Sequence, residues 1–77
     1  MKKLTFTDVV KMINGKRCLV KCDYPDINVP ITPVISEYHI GIGFVALESD
    51  DKFTLMDDGR IRFKSLDDGN GFIKIAT

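Results

Sequence analysis

Apolar residues near the start of the chain recur at helical spacing. Four of them fall at positions i, i+3, i+4 and i+7 and so share one helical face: Phe6, Val9, Val10 and Ile13. Thr5 has the side chain of an N-cap, and Asp8 three residues later completes a form of the capping box. Asn14 and Gly15 tolerate the left-handed backbone that ends many helices. The pattern predicts a helix over residues 4–14.

Alternation with a period of two predicts the first strand over residues 17–24. Apolar or aromatic side chains there alternate with charged ones, Cys18, Val20, Cys22 and Tyr24 against Arg17, Lys21 and Asp23. On an extended strand Cys18 and Cys22 would lie about 13 Å apart, too far for a disulfide, so we expect buried, reduced thiols. Residues 25–33 contain three prolines, which cannot donate to a ladder. They predict an extended loop, or at most an edge strand.

The C-terminal half predicts an antiparallel meander with strands at residues 39–48, 52–56, 60–66 and 72–76. A three-residue loop Asp57–Gly59, with Gly59 left-handed, pairs Leu55 with Ile61 and Phe53 with Phe63. A two-residue turn would instead place these apolar residues opposite charged ones. Because cross-strand partners share one face of a sheet, the three-residue loop is favoured.

The same reasoning extends to the neighbouring strands. A loop at Ser49–Asp51 predicts pairing of Leu47 with Phe53, Val45 with Leu55 and Glu48 with Lys52. A loop at Asp67–Gly71 predicts pairing of Phe63 with Ile75, Ser65 with Ile73 and Lys64 with Lys74. The strand at 39–48 is apolar on both faces and contains two glycines, Gly41 and Gly43. That pattern favours a central or sharply bent strand.

These elements predict a single domain over residues 1–77 of the α+β class, with the N-terminal helix packed on a bent antiparallel sheet of four to five strands. A small closed barrel of the SH3 or Sm-like type is the alternative arrangement. The segment Gly15–Lys21 after the helix resembles the opening of Sm-like RNA-binding barrels. The stretch from Phe6–Val10 to Gly15–Arg17, together with Asp58–Ile61, is also similar to small phage proteins that antagonise Thoeris defence by sequestering a nucleotide signal. Neither resemblance assigns a site residue in this chain.

The predicted register places cationic side chains on one outward face of the sheet. The candidate binding residues are Lys52, Arg60, Arg62, Lys64, Phe72 and Lys74, with Thr54 among them. Cations spread over three strands beside an aromatic ring fit a phosphate backbone or a nucleotide, and they equally fit an acidic protein. The alternative is that these outward charges have no ligand and only keep the exposed face of a half-buried sheet hydrated. Lys64 opposite Lys74 would be mildly unfavourable without a nearby anion.

Composition narrows the possible functions. The chain has 77 residues, with 11 Lys+Arg against 11 Asp+Glu, a balance that argues against a generic polyelectrolyte binder. Cys18 and Cys22 with the single histidine, His39, make a poor zinc set. The Asp-Asp pairs at 50/51, 57/58 and 67/68 are explained by turns. Uninterrupted apolar runs fall short of the roughly 20 residues that span a membrane. The start of the chain resembles the basic region of a signal peptide, but charged residues interrupt the apolar stretch that should follow. We therefore expect a cytoplasmic protein.

By elimination, the sequence predicts a small non-catalytic binding protein that needs no metal or other cofactor. We expect it to engage and inhibit a macromolecular partner, as accessory proteins of phages and mobile elements do. A protein partner is the first expectation, and a nucleic acid or nucleotide bound on the basic strand face is the alternative. No membrane partner is expected. An exposed edge near Val29–Ile35 predicts pairing with a second copy of the chain.

Overall fold

The computed structural model describes residues 1–22, 27–43, 45–65 and 69–76. Within them the chain forms one helix and nine strands: β1 (Lys2–Leu4), α1 (Phe6–Ile13), β2 (Cys18–Cys22), β3 (Ile27–Ile31), β4 (Val34–Ile35), β5 (His39–Ile42), β6 (Val45–Glu48), β7 (Lys52–Leu55), β8 (Ile61–Ser65) and β9 (Gly69–Ile75). The strands form a six-stranded sheet in the order β1-β7-β8-β9-β2-β3 and a three-stranded sheet in the order β4-β5-β6. All neighbouring strands are antiparallel. One helix with antiparallel sheets is an α+β fold.

A single apolar core joins α1 to both sheets. Its buried members are Val9, Ile13, Cys18, Val20, Cys22, Ile40, Ile42, Val45, Leu47, Phe53, Ile61, Phe63 and Ile73. Every second residue of β2 is buried, and so are Ile61 and Phe63 of β8, because successive side chains of a strand point to opposite faces. The alternate residues of the six-stranded sheet therefore point away from the core, on the face opposite α1.

The capping box at the start of α1 is confirmed. The backbone N–H of Asp8 donates to Thr5 Oγ1 at 3.1 Å, and that of Thr5 donates to Asp8 Oδ2 at 2.9 Å. The bond from the Thr5 backbone lowers the pKa of Asp8 below its usual value. The predicted start at residue 4 was wrong, because residues 2–4 form β1 and pair with β7. After α1, Gly15 takes the left-handed conformation, with φ 72°.

Replacing Thr5 with alanine is expected to lower the free energy of unfolding by about 1 kcal/mol, because the N–H of Asp8 loses its capping acceptor. Urea denaturation followed by circular dichroism measures this change. Thr7→Ala is the matched control, since Thr7 is an exposed residue inside the same helix and alanine has the higher helix propensity. Equal stability of the two variants would contradict a stabilising role for the cap.

The predicted hairpin between β7 and β8 is confirmed. Leu55 pairs with Ile61 and Phe53 with Phe63, and Gly59 has φ 88°. The N–H of Met56 donates to the carbonyl of Arg60 at 2.8 Å and closes the three-residue loop. The short-range pairing of apolar residues was thus sufficient to fix this register.

The predicted register between β8 and β9 was wrong. Phe63 pairs with Gly71 rather than with Ile75, and Ile61 pairs with Ile73. Gly71 has no side chain, so the Phe63 ring occupies the space that a Cβ would take; a Cβ there would lie 2.6 Å from Phe63 Cζ. The partner of Phe63 is shifted by four residues, an even number, so every side chain of β9 keeps its predicted face.

The single strand predicted at 39–48 is a hairpin, with β5 paired to β6 and Gly43 left-handed at φ 78°. Ile42 pairs with Val45 and Ile40 with Leu47, and all four are buried. Because the chain reverses at Gly43, the even-numbered residues of β5 and the odd-numbered residues of β6 both point to the core. This is why the segment is apolar at even and odd positions alike. The predicted pairing of β6 with β7 was also wrong, since β7 lies between β1 and β8.

The predicted sheet of four to five strands was therefore too small, and the six- and three-stranded sheets do not close into a barrel within the described chain. The barrel alternative was based on one long bent strand at 39–48. This segment instead forms the β5–β6 hairpin, which belongs to the three-stranded sheet. β3 is an edge strand, as the proline-rich segment allowed. Pairing of a second copy along this edge stays a prediction.

The two cysteines behave as the alternation in β2 predicts. Cys18 and Cys22 are buried, reduced cysteines on the core face. Burial raises the pKa of the Cys18 thiol above its usual value. Neither sulfur is presented at the surface, so neither is placed to act as a nucleophile or an accessible metal ligand.

Candidate functional site

The outer face of the six-stranded sheet carries all six predicted binding residues. Lys52 lies on β7, Arg62 and Lys64 on β8, and Phe72 and Lys74 on β9. Arg60 lies just before β8, with its guanidinium over the Phe72 ring. Two further lysines share this face, Lys3 on β1 and Lys21 on β2, through the pairings of Lys3 with Thr54 and of Lys21 with Phe72. We call these residues the basic face: Lys3, Lys21, Lys52, Arg60, Arg62, Lys64, Phe72 and Lys74.

A row of paired residues crosses the middle of the basic face. Successive cross-strand partners run Lys3, Thr54, Arg62, Phe72 and Lys21, one from each of β1, β7, β8, β9 and β2. At roughly 4.8 Å per strand, the backbone positions of this row extend over about 19 Å. Cations stand at both ends and in the middle, and the half-buried Phe72 ring lies between Arg62 and Lys21.

The neighbouring positions add further positive charge. Lys64 pairs with Lys52 on one side and with Asn70 on the other. The predicted pair of Lys64 with Lys74 does not form, because the residue of β9 opposite Lys64 is Asn70. Lys52 pairs with Lys64, as the predicted β7–β8 register implies, and like charges directly opposite each other are destabilising. A bound anion would remove that repulsion.

Arg60 is held by two kinds of contact. Its Nε donates to Asp58 Oδ2 at 2.6 Å, and its Cζ lies 4.2 Å from the centre of the Phe72 ring. The Cζ of Arg62 lies 5.9 Å from the same centre. The backbone N–H of Arg60 donates to Asp58 Oδ1 at 3.1 Å, and this bond first, with the guanidinium second, lowers the pKa of Asp58 below its usual value. The ring and the carboxylate together fix the place of this cation.

Charge is segregated although the whole chain is neutral. Among the described residues, Arg60 is the one cation of the basic face within 4.0 Å of a carboxylate. Among the described residues, acidic side chains lie in the two turns that flank β7, Asp50 and Asp51 on one side and Asp57 and Asp58 on the other. A chain with zero net charge therefore folds with a locally basic surface.

Several shallow depressions interrupt the basic face. Some of them also involve Asp50 or Asp51 of the turn before β7, and two are lined without a carboxylate. One of about 290 Å³ is lined by Met1, Lys52, Thr54, Met56, Arg62 and Lys64. The other, of about 190 Å³, is lined by Leu19, Lys21, Arg60, Phe72 and Lys74. Small-molecule sites usually measure about 300–1,000 Å³ and enclose most of the ligand. These open hollows fit successive parts of an extended ligand better than one enclosed small molecule.

Sequence reasoning missed Lys3 and Lys21 as members of this face. Lys21 carried a signal, because it alternates with the buried Val20 and Cys22, but only the pairing of β2 with β9 places it beside Phe72. Lys3 carried none, since a three-residue strand has too little pattern to predict.

The remaining candidate residues do not form a site of comparable extent. His39 is exposed, and its Nε2 lies 3.7 Å from Glu48 Oε1 across the β5–β6 hairpin. Oxygen atoms of Glu48, Asp50 and Asp51 lie within 4.8 Å of one another. The Glu48 N–H donates to Asp51 Oδ2 at 2.9 Å, so turn formation accounts for Asp51. The pair at 67/68 lies outside the described residues.

In the part of the chain that the structure describes, α1 is too short to cross a bilayer and no other helix is present. In comparisons with known proteins, no family model, no curated sequence and no solved structure matches this chain. Its function must therefore be argued from the basic face itself.

Proposed function

We propose that this protein is a non-catalytic binding protein and that its partner is a single-stranded nucleic acid held on the basic face. The observation that carries the proposal is the concentration of cations around Phe72. Lys3, Lys21, Lys52, Arg62, Lys64 and Lys74 are exposed and form no ion pair among the described residues. Such cations neutralise phosphates and release counterions from the nucleic acid.

Three features favour a single strand over the other partners considered. The flat row of about 19 Å follows an extended chain better than the small depressions fit a free nucleotide. An aromatic ring among cations is the combination that proteins use to bind single strands, with side-chain cations on phosphates and rings on bases. An acidic protein would pair with the cations of the basic face, but its carboxylates would not stack on the planar groups of Phe72 and Arg60. These features move our preference from the protein partner expected from the sequence to a nucleic acid.

Fluorescence anisotropy with labelled single-stranded RNA and DNA oligonucleotides tests this proposal. The test variant is Arg62→Glu/Lys64→Glu, which reverses two adjacent exposed cations of β8. We expect affinity at low salt to fall at least about 100-fold, because each charge-assisted hydrogen bond contributes about 1.5–3 kcal/mol. The matched control is Lys11→Glu/Lys16→Glu, which changes the charge equally at two exposed residues on and after α1. Its affinity is expected to stay within about threefold of the unchanged protein.

Poly-glutamate is the second probe in the same assay. Binding of the oligonucleotides that is lost in the β8 variant and kept in the control supports the proposal. Binding of poly-glutamate without binding of the oligonucleotides would overturn it in favour of an acidic protein partner. Circular dichroism of both variants shows whether each retains the fold, so a loss of binding is assigned to the surface only in a folded variant.

A further inference from the structure

Within the basic face, Arg60 differs from every other cation. It is the one cation there that contacts both a carboxylate and an aromatic ring among the described residues. Its side chain is nonetheless 39% exposed. A guanidinium held in place and still open to solvent loses little conformational freedom when a ligand contacts it.

We propose that Arg60 and Phe72 form the position at which one base of the nucleic acid stacks, with the lysines of the basic face on the phosphates. This inference rests on the proposed function. Guanidinium planes and aromatic rings are both surfaces on which unpaired bases stack. Asp58 neutralises part of the charge of Arg60, which makes this arginine a poorer phosphate ligand than its unpaired neighbours and leaves its planar surface as its distinctive property.

The same geometry predicts how specific the contact is. Every base has a π-face, so stacking tolerates any sequence. Asp58 accepts from Nε of Arg60 and so occupies one of the two forked edges of the guanidinium, which leaves the Nη pair as its other edge. The ligand class is therefore single-stranded nucleic acid with little base preference at this position.

The test compares two oligomers of equal length and equal phosphate charge, oligo(dT) and its fully abasic analogue. Arg60→Lys keeps the charge and removes the planar group, and Phe72→Leu keeps an apolar side chain and removes the ring. We expect each to weaken binding of oligo(dT) about fivefold or more, the contribution of a single stacked base, and to leave binding of the abasic oligomer nearly unchanged. Arg62→Lys is the matched control, because Arg62 lies farther from the ring and contacts no carboxylate among the described residues.

A spectroscopic measurement separates stacking from a general effect on structure. The fluorescence of 2-aminopurine in a single-stranded oligomer is expected to change on binding to the unchanged protein and to change much less with Arg60→Lys. Equal binding of oligo(dT) and the abasic oligomer would overturn the stacking position and leave the proposed function standing. Failure of both oligomers to bind would overturn both. Equal losses in Arg60→Lys and Arg62→Lys would also overturn the special role of Arg60.

Discussion

Replacing Gly71 with alanine is expected to lower the free energy of unfolding by about 3 kcal/mol, near the upper end of the usual cost of overpacking a core. The new Cβ would overlap the backbone carbonyl oxygen of Lys21 and would lie 2.6 Å from Phe63 Cζ. Phe63 has no exposed surface, so its ring has nowhere to move. Relief therefore requires β9 to move away from β2 or β8. A domain of this size has only about 3–5 kcal/mol of stability from its core, so this variant should be close to unfolding.

Gly41→Ala is the matched control for this prediction. It makes the same chemical change in a strand, but the nearest atoms to its Cβ lie at 3.6 and 3.8 Å, ordinary contact distances. We expect its stability to be unchanged or up to about 1 kcal/mol higher, since alanine loses less backbone entropy on folding than glycine. Urea denaturation followed by circular dichroism measures both variants. If Gly71→Ala were as stable as Gly41→Ala, the pairing of Phe63 with Gly71 would be refuted.

The affinity for single-stranded nucleic acid is expected to fall about 50- to 300-fold when salt is raised from about 50 to 200 mM. The slope of log affinity against log salt is about −0.7 for each neutralised phosphate on a single strand. With four to six phosphates contacted, roughly one for each cation of the basic face that lacks a carboxylate partner, the slope is about −3 to −4. Anisotropy titrations at several salt concentrations measure it.

Single-residue variants make this prediction specific. Lys64→Ala is expected to reduce the magnitude of the slope by about 0.7, the value of one phosphate contact, and to weaken all sequences alike. Lys11→Ala, on α1 and away from the basic face, should leave the slope unchanged. A slope near zero in the unchanged protein would indicate an interface without phosphate contacts and would contradict the assignment of the lysines.

Charge segregation explains how a neutral composition and a basic face occur in the same protein. Turns need Asp and Asn for their backbone hydrogen bonds, and outward strand positions here take Lys and Arg. The acidic residues therefore gather at the ends of strands, as Asp50, Asp51 and Asp58 do, while the cations occupy the sheet face between them. A balanced sequence thus folds into a polarised surface, and ligand attraction depends on that local field.

The sequence alone determined the features that depend on near neighbours. These are the capping box of α1, the β7–β8 hairpin with its left-handed Gly59, and the buried alternation of Cys18, Val20 and Cys22. It also determined that the six candidate residues on and beside β7, β8 and β9 share the outer face, because strand parity has a period of two and survives an even shift in register. For that reason all six candidate residues lie together despite the wrong β8–β9 pairing.

Apart from the β7–β8 and β8–β9 pairs, only the tertiary structure decided which strands are neighbours. The reversal at Gly43, the place of β1 beside β7 and the packing of Phe63 against Gly71 depend on contacts between residues far apart in the chain or on how a side chain fills space. The same long-range pairing brings Lys3 and Lys21 to the basic face. The local sequence pattern determines on which face of the sheet a residue lies. Its cross-strand neighbours are determined by competition among the alternative ways of pairing apolar strands in one shared core.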